Sequence, residues 1–236
     1  MNRNKLLATL LLFITVWSAQ SQTLVKTMSS ANSTVYSVVK NAGKYYIGGS
    51  FTYVGLQTGT SGLLTSSTDV PDLNFPVFTG EVRCVISDGS NGWYVGGSMY
   101  QADGNSCSQL VHVLPDNTID PAFNASITSG TVYALLLKST TLYVGGGFTS
   151  VNATTRNYIA SVNASAGSLL TWNPSADNAV YALAVRNTNL YVGGAFNNIG
   201  GSFKPHLAAF STSSGNLINN IATANSYVYS ITPKGD

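Results

Sequence analysis

Charge is what this sequence most lacks. It holds eleven Lys and Arg and nine Asp and Glu in 236 residues, 8% of the chain. Two of the basic residues, Arg3 and Lys5, precede the apolar run Leu6–Trp17, which leaves nine against nine beyond it, with no run of one sign. Neutralising several phosphates takes clustered Lys and Arg, so the composition argues against nucleic-acid binding and adhesion to anionic lipid. Two cysteines and two histidines are too few for a disulfide framework and offer no completed His/Cys ligand set for a metal. No G-x-S-x-G nucleophile elbow and no GK[ST] phosphate loop occurs. After the first run, no window of helical length carries a 3.6-residue apolar period.

The apolar run is itself short. Its twelve residues fall below the ~20 that a membrane-spanning helix takes. With Arg3 and Lys5 before it and Ala19-Gln20-Ser21 after it, it reads as a signal peptide over residues 1–21, with cleavage near Gln22. The expected setting is secreted, extracellular or at the cell surface. An uncleaved anchor is the alternative.

Hydrophobic residues make up 44% of the chain and aromatics 11%, against the composition of disorder. About 215 residues after cleavage can bury a substantial core. The polar surface is then built from Gly, Ser, Thr and Asn rather than from ions, a composition that suits an extracellular all-β protein.

The chain repeats itself. YIGGSFT (46–52), YVGGSMY (94–100), YVGGGFT (143–149) and YVGGAFN (191–197) share one pattern. Ahead of each lies a segment that begins at Val35, Val82, Val132 or Val180, and Val228 begins a fifth, at intervals of 47, 50, 48 and 48 residues. Each unit reads as four short strand-like pieces separated by Gly, Asn and Ser. In the fourth unit these are VYALAV (180–185), LYVGGAF (190–196), HLAAFS (206–211) and NLINNI (216–221). Four hairpin-linked strands per 40–50 residues is the period of a propeller blade. A β-solenoid, with shorter coils and parallel strands, is the alternative. The expected fold is therefore an all-β propeller of four-stranded antiparallel blades, about 48 residues each, over residues 22–236.

The register at the two ends adds an expectation about closure. TLVKTMSSANSTVY (23–36) aligns with NLINNIATANSYVY (216–229) at a constant offset of 193. The first of these reads as a fourth strand without its own first three, and such a strand would complete the last blade and leave no sheet edge unpaired. With the fifth unit only begun at Val228, the expectation is an incomplete propeller: four full blades, an N-terminal fourth strand and the start of a fifth blade, a fragment of a longer chain.

DNTIDPAFN (116–124) resembles the DG-x-x-D-x-x-F-N signature of delta-60 repeat β-propellers of secreted bacterial proteins. RNYIASV (156–162) and GSLLTWNP (167–174), followed by VYAL and LYVGG-x-F, are similar to the same group. The resemblance covers essentially the whole chain after residue 21. DVPDLNFPVF (69–78) in unit one and NLINNI in unit four are looser versions. Kelch propellers share the glycine pair and a fourth-strand Trp, matched only by Trp172, and rank second. The resemblance implies a propeller in a secreted setting and no particular activity.

The glycine pairs follow strands but precede no helix, so they lack the context of a phosphate site and read as structural. His112 and His206 lie on third strand-like pieces of different units, and each is expected to meet a backbone partner or solvent rather than act as a base. Asp116 and Asp120, like Asp69 and Asp72, fit turn caps better than glycosidase carboxyls, which flank a cleft. Asp116-Asn117-Thr118 supplies too few oxygens for calcium by itself. Cys84 fits a small core position and Cys107 a loop, so free thiols are expected, with a disulfide as the alternative. Asn32, Asn124, Asn152 and Asn163 head glycosylation sequons that read as Asn-rich turns, given the bacterial setting that the resemblance implies. Phe51, Met99, Phe148 and Phe196 share one repeat position and read as core between units. Trp93, Tyr100 and Tyr158 are less regular aromatics able to stack on sugars.

The expected function is that of a non-catalytic secreted binding or structural module for a protein or glycan, with no catalytic, cofactor or metal residues assigned. The alternative is the propeller part of a polysaccharide-acting enzyme whose catalytic residues lie in loops or beyond Asp236.

Overall fold

The computed structural model describes residues 31, 33–41, 44–52, 61–65 and 74–234. The expected signal peptide over residues 1–21, most of the 23–36 segment expected to close the last blade, the sequon at Asn32, and Asp69 and Asp72 lie outside them. The described chain is all-β, antiparallel and without a helix.

Each of the four units forms a three-stranded meander. Its first strands are Val35–Asn41, Val82–Ser87, Val132–Lys138 and Val180–Arg186. The second strands are Lys44–Gly49, Trp93–Gly97, Thr141–Gly146 and Asn189–Gly194. The third are Ser61–Thr65, Leu110–Val113, Ile159–Asn163 and Leu207–Ser211. The β-branched and aromatic residues of these runs suit pleated, packed surfaces. Second strands such as Trp93–Gly97 are buried at every position, because each lies in the middle of its own sheet and is covered by the first strand of the next unit.

The sheets depart from four strands. The fourth segment of a unit pairs with the third strand through one bridge only: Ile119 with Val113, Leu169 with Val162, and Leu217 with Phe210. In unit three, Asn163 N–H donates to Ser168 O at 2.8 Å and Leu170 N–H to Ser161 O at 2.9 Å, and the pairing stops there. Asp120 turns its carboxylate to the Ala122 N–H at 2.9 Å, and Pro121 and Pro174 have no N–H to extend a ladder. Around Val228 there is no strand, although the residue packs on Gly193 as the valines of the other units pack on theirs.

A two-residue hairpin projects between second and third strands in units two to four. It pairs Gln101–Ala102 with Asn105–Ser106, Ser150–Val151 with Thr154–Thr155, and Asn198–Ile199 with Ser202–Phe203. Both turn residues have positive φ in each: Asp103-Gly104, Asn152-Ala153 and Gly200-Gly201. That is the twist-matched type I′ geometry.

The core is divided among the unit junctions. One cluster centres on Tyr46, Val82 and Trp93, a second on Tyr94, Val132 and Leu142, a third on Tyr143, Val180 and Phe210. Each cluster joins one unit to the next, as in repeat proteins held by nearest-neighbour interfaces. Phe51, Met99, Phe148 and Phe196 are all buried.

The glycine pairs have two separate reasons. A Cβ on the first glycine would strike the leading valine of the following unit: Gly48 meets Val82, Gly96 meets Val132 at 2.6 Å, Gly145 meets Val180 at 2.6 Å, and Gly193 meets Val228 at 2.5 Å. A Cβ on the second would strike a backbone oxygen of its own unit, from Thr34, Glu81, Thr131 or Ala179 for Gly49, Gly97, Gly146 and Gly194. That same oxygen accepts the N–H of Ser50, Ser98, Gly147 or Ala195 at 2.8–2.9 Å. The first glycine admits the neighbour; the second admits the unit's own chain.

Candidate functional site

Opposite each glycine pair the first strand bulges. Register jumps from Val35 to Ser37, Val82 to Cys84, Val132 to Ala134 and Val180 to Ala182, leaving Tyr36, Arg83, Tyr133 and Tyr181 unpaired. A bulge re-aims the extra side chain. Because the first strands of successive units lie side by side, the four side chains and Tyr229 form a row across the units. The Arg83 guanidinium lies 4.1 Å from the Tyr36 ring centre and is ion-paired with Glu81. Tyr133 and Tyr181 meet edge to face at 5.3 Å, and Tyr181 stacks on Tyr229 at 5.1 Å. Tyr36 is 40% exposed and Tyr229 68%. Burial, and then the neighbouring phenols of Tyr133, Tyr229 and Tyr227, raise the Tyr181 pKa above the ordinary tyrosine value, so its hydroxyl remains protonated through the physiological range. The sequence signal of this row is a large side chain recurring at one position next to the glycine-facing valine.

The second cluster is buried. His112 Nδ1 lies 2.8 Å from Asp120 Oδ2, and Nε2 lies 3.2 Å from Asp88 Oδ2. The imidazole stacks on Tyr94 at 4.5 Å. The expectation of a backbone or solvent partner for His112 is corrected: it bridges two carboxylates. Asp88 also caps the turn before the second strand through Ser90 and Gly92 N–H groups, at 2.6 and 2.8 Å. Burial opposes ionisation of Asp120, yet hydrogen bonds from His112 and the Ala122 and Phe123 N–H groups hold its carboxyl below the usual aspartate range. Asp120 is thus more than a turn cap. The positions of His112 and Asp120 carry Ser161 and Leu170 in unit three, and Ala209 and Ile218 in unit four.

A cleft of about 380 Å³ adjoins this cluster, lined in part by Cys107, Ser108, His112, Asp120 and Phe123. The side chains of Ser108, His112 and Asp120 on its wall are already engaged. Ser108 Oγ donates to Ala125 O at 2.7 Å and accepts the Ile127 N–H at 2.9 Å, and both imidazole nitrogens face carboxylates. Burial pushes the Cys107 thiol up to about 11, away from the thiolate that nucleophilic chemistry uses. Among the described residues no group of His, Cys, Asp and Glu is arranged to hold a metal ion.

The remaining sequence candidates do not converge. Cys84 and Cys107 are free, and burial raises the Cys84 thiol beside Gly96 and the Val132 carbonyl. His206 stands before the third strand rather than on it, at a φ of 64°, with its ring 5.3 Å from Tyr227. Asp116 Oδ1 caps the N–H and hydroxyl of Thr118 at 3.0 and 2.7 Å. Asn152 accepts the Ser126 N–H and donates to Gly167 O, and Asn163 caps Ser165 and Ala166. Trp93 is core beside Tyr46, Tyr158 takes a turn conformation at 66°, and Tyr100 is exposed. Trp172 brackets two units: its Nε1–H donates to Gly215 O at 3.0 Å, and its ring meets Tyr143 and Phe210 edge-on.

No protein-family model matches this chain, and no curated protein matches it. Among solved structures, the computationally designed protein Ika8 is similar with a TM-score of 0.57 at 13% identity, over 88% of this chain and 55% of that one. The chain therefore spans about half the length of that designed protein. The designed protein Ika4 gives a TM-score of 0.32 at 10% identity, over 88% of this chain and 84% of that one. The likeness to Ika8 is one of β fold alone.

Proposed function

We propose that this chain is a secreted, non-catalytic repeat module of propeller type, of the delta-60 kind that its DNTIDPAFN segment resembles, and that it binds a protein or glycan on one face. The observation that carries this reading is the row Tyr36–Arg83–Tyr133–Tyr181–Tyr229, in which four units place one bulged position side by side on a partly exposed surface and Tyr229 stacks beside the last. Repeats that build such a continuous surface commonly use it for binding. The apolar run Leu6–Trp17 and its flanks support export. Three junctions of one geometry support an array of blades, with the fourth segment of each blade reduced to a short pairing.

A polysaccharide-acting enzyme is the competing reading, and the His112–Asp120 cleft is the observation in its favour. Its groups are spent on one another, which supports a structural role. Hydrolase and lyase assays on the full-length protein, run beside glycan-array and protein-capture binding, separate the two. Binding without turnover supports the module; turnover abolished by Asp120→Asn in a folded variant overturns it.

A further inference from the structure

We propose that the Tyr36–Arg83–Tyr133–Tyr181–Tyr229 row is a binding site for a neutral glycan chain, held through its phenol hydroxyls. This rests on the module reading above and names its ligand. Several of the rings have one face covered within the protein. Arg83 covers Tyr36, Tyr181 and Tyr229 stack on each other, and the Tyr133 ring lies over Gly147, 3.5 Å from where a Cβ would stand. The residue at that place is small in every unit: Ser50, Ser98, Gly147 or Ala195. No phenol oxygen of the row has a hydrogen-bond partner among the described residues, and none is a buried orphan. The row therefore offers ring edges and hydroxyls, each able to donate and accept.

Charge selects among hydroxyl-binding partners. Arg83, the cation of the row, is already paired with Glu81, so neither an anionic nor a cationic ligand gains a free counter-charge. A polyhydroxylated, uncharged chain matches what remains. Neighbouring ring centres lie 5.1–5.3 Å apart, and a glycan lying along the row would meet one unit after another. Weak single contacts then add along one ligand, as in other multivalent sites.

The mode of binding makes the test specific. Affinity electrophoresis of the full chain in gels containing hydroxyethylcellulose, xylan, mannan, laminarin or dextran should show retardation by at least one of them. The triple variant Tyr133→Phe, Tyr181→Phe, Tyr229→Phe keeps the rings and should keep the melting temperature, with binding at least tenfold weaker. A wild-type protein retarded by none of these polymers overturns the glycan proposal, and protein-capture binding then still tests the module reading. Retardation that survives the triple variant overturns the hydroxyl site while leaving the module reading in place. Loss of binding with a lowered melting temperature is resolved by Tyr229→Phe alone, at the most exposed ring: undiminished affinity in that folded variant also counts against the site.

Discussion

Val180 occupies the space that a side chain on Gly145 would fill: a Cβ there would stand 2.6 Å from the valine Cγ1. The contact joins the second strand of unit three to the first strand of unit four, and its counterparts join the other units. The adjacent glycine faces a different obstacle, the Thr131 carbonyl. Two neighbouring glycines with different obstacles should respond differently to the same substitution.

Gly145→Ala is expected to destabilise by about 1–3 kcal/mol, the usual cost of overpacking, and Val180→Ala in the same chain should recover part of it. Gly146→Ala meets the Thr131 carbonyl and the Phe148 ring rather than Val180, so Val180→Ala should recover nothing. Urea unfolding of the two single and two double variants measures this. Equal rescue of both glycine variants would show that the two glycines share one obstacle.

The His112–Asp120 pair gives a pH dependence of definite sign. The Asp120 carboxyl is held below its ordinary range in the folded state, so the unfolded chain binds its proton first as pH falls. The contribution is fully present above about pH 4, the value of an unperturbed aspartate, and is lost as pH falls through the folded-state value. The urea midpoint should drop on acidification below pH 4, and Asp120→Asn should drop less. A variant with the wild-type acid profile would remove Asp120 from this linkage.

Both thiols should resist modification in the folded protein. Burial raises Cys84 and moves Cys107 to about 11, leaving little thiolate at pH 7.5. Reaction with an aromatic disulfide reagent should be slow in buffer and should reach two thiols per chain in guanidinium. A count below two after denaturation without reductant would reveal a disulfide.

Trp172 tests the bracket between units three and four. Trp172→Phe keeps much of the packing on Tyr143 and Phe210 but removes the hydrogen bond to Gly215 O, a loss of about 0.5–1.5 kcal/mol. Thermal unfolding followed by circular dichroism reads the change. An unchanged midpoint would assign the bracket to ring packing alone.

Much of the local architecture is legible before any coordinates. The valine-led segments and glycine pairs mark strands and their order because strand runs and turn residues are local signals. The short hairpins carry turn residues, Asp103-Gly104 and Gly200-Gly201, but their two-residue strands are too short to show a period. The truncation of the fourth strand was harder to see, since Leu169 and Leu170 look strand-like in isolation. Their ladder ends because the chain leaves for the next unit after one bridge.

The sequence by itself determined the all-β class, the period, the near absence of charge and the recurring core position of Phe51, Met99, Phe148 and Phe196. Each depends on composition or on neighbours close along the chain. Only the tertiary structure decided that Gly145 faces Val180, that His112 bridges Asp88 and Asp120, and that tyrosines about 48 residues apart come together in one row. Those relations depend on how sheets stack and where strands bulge. Packing between units sets them, across separations over which the sequence carries no local signal.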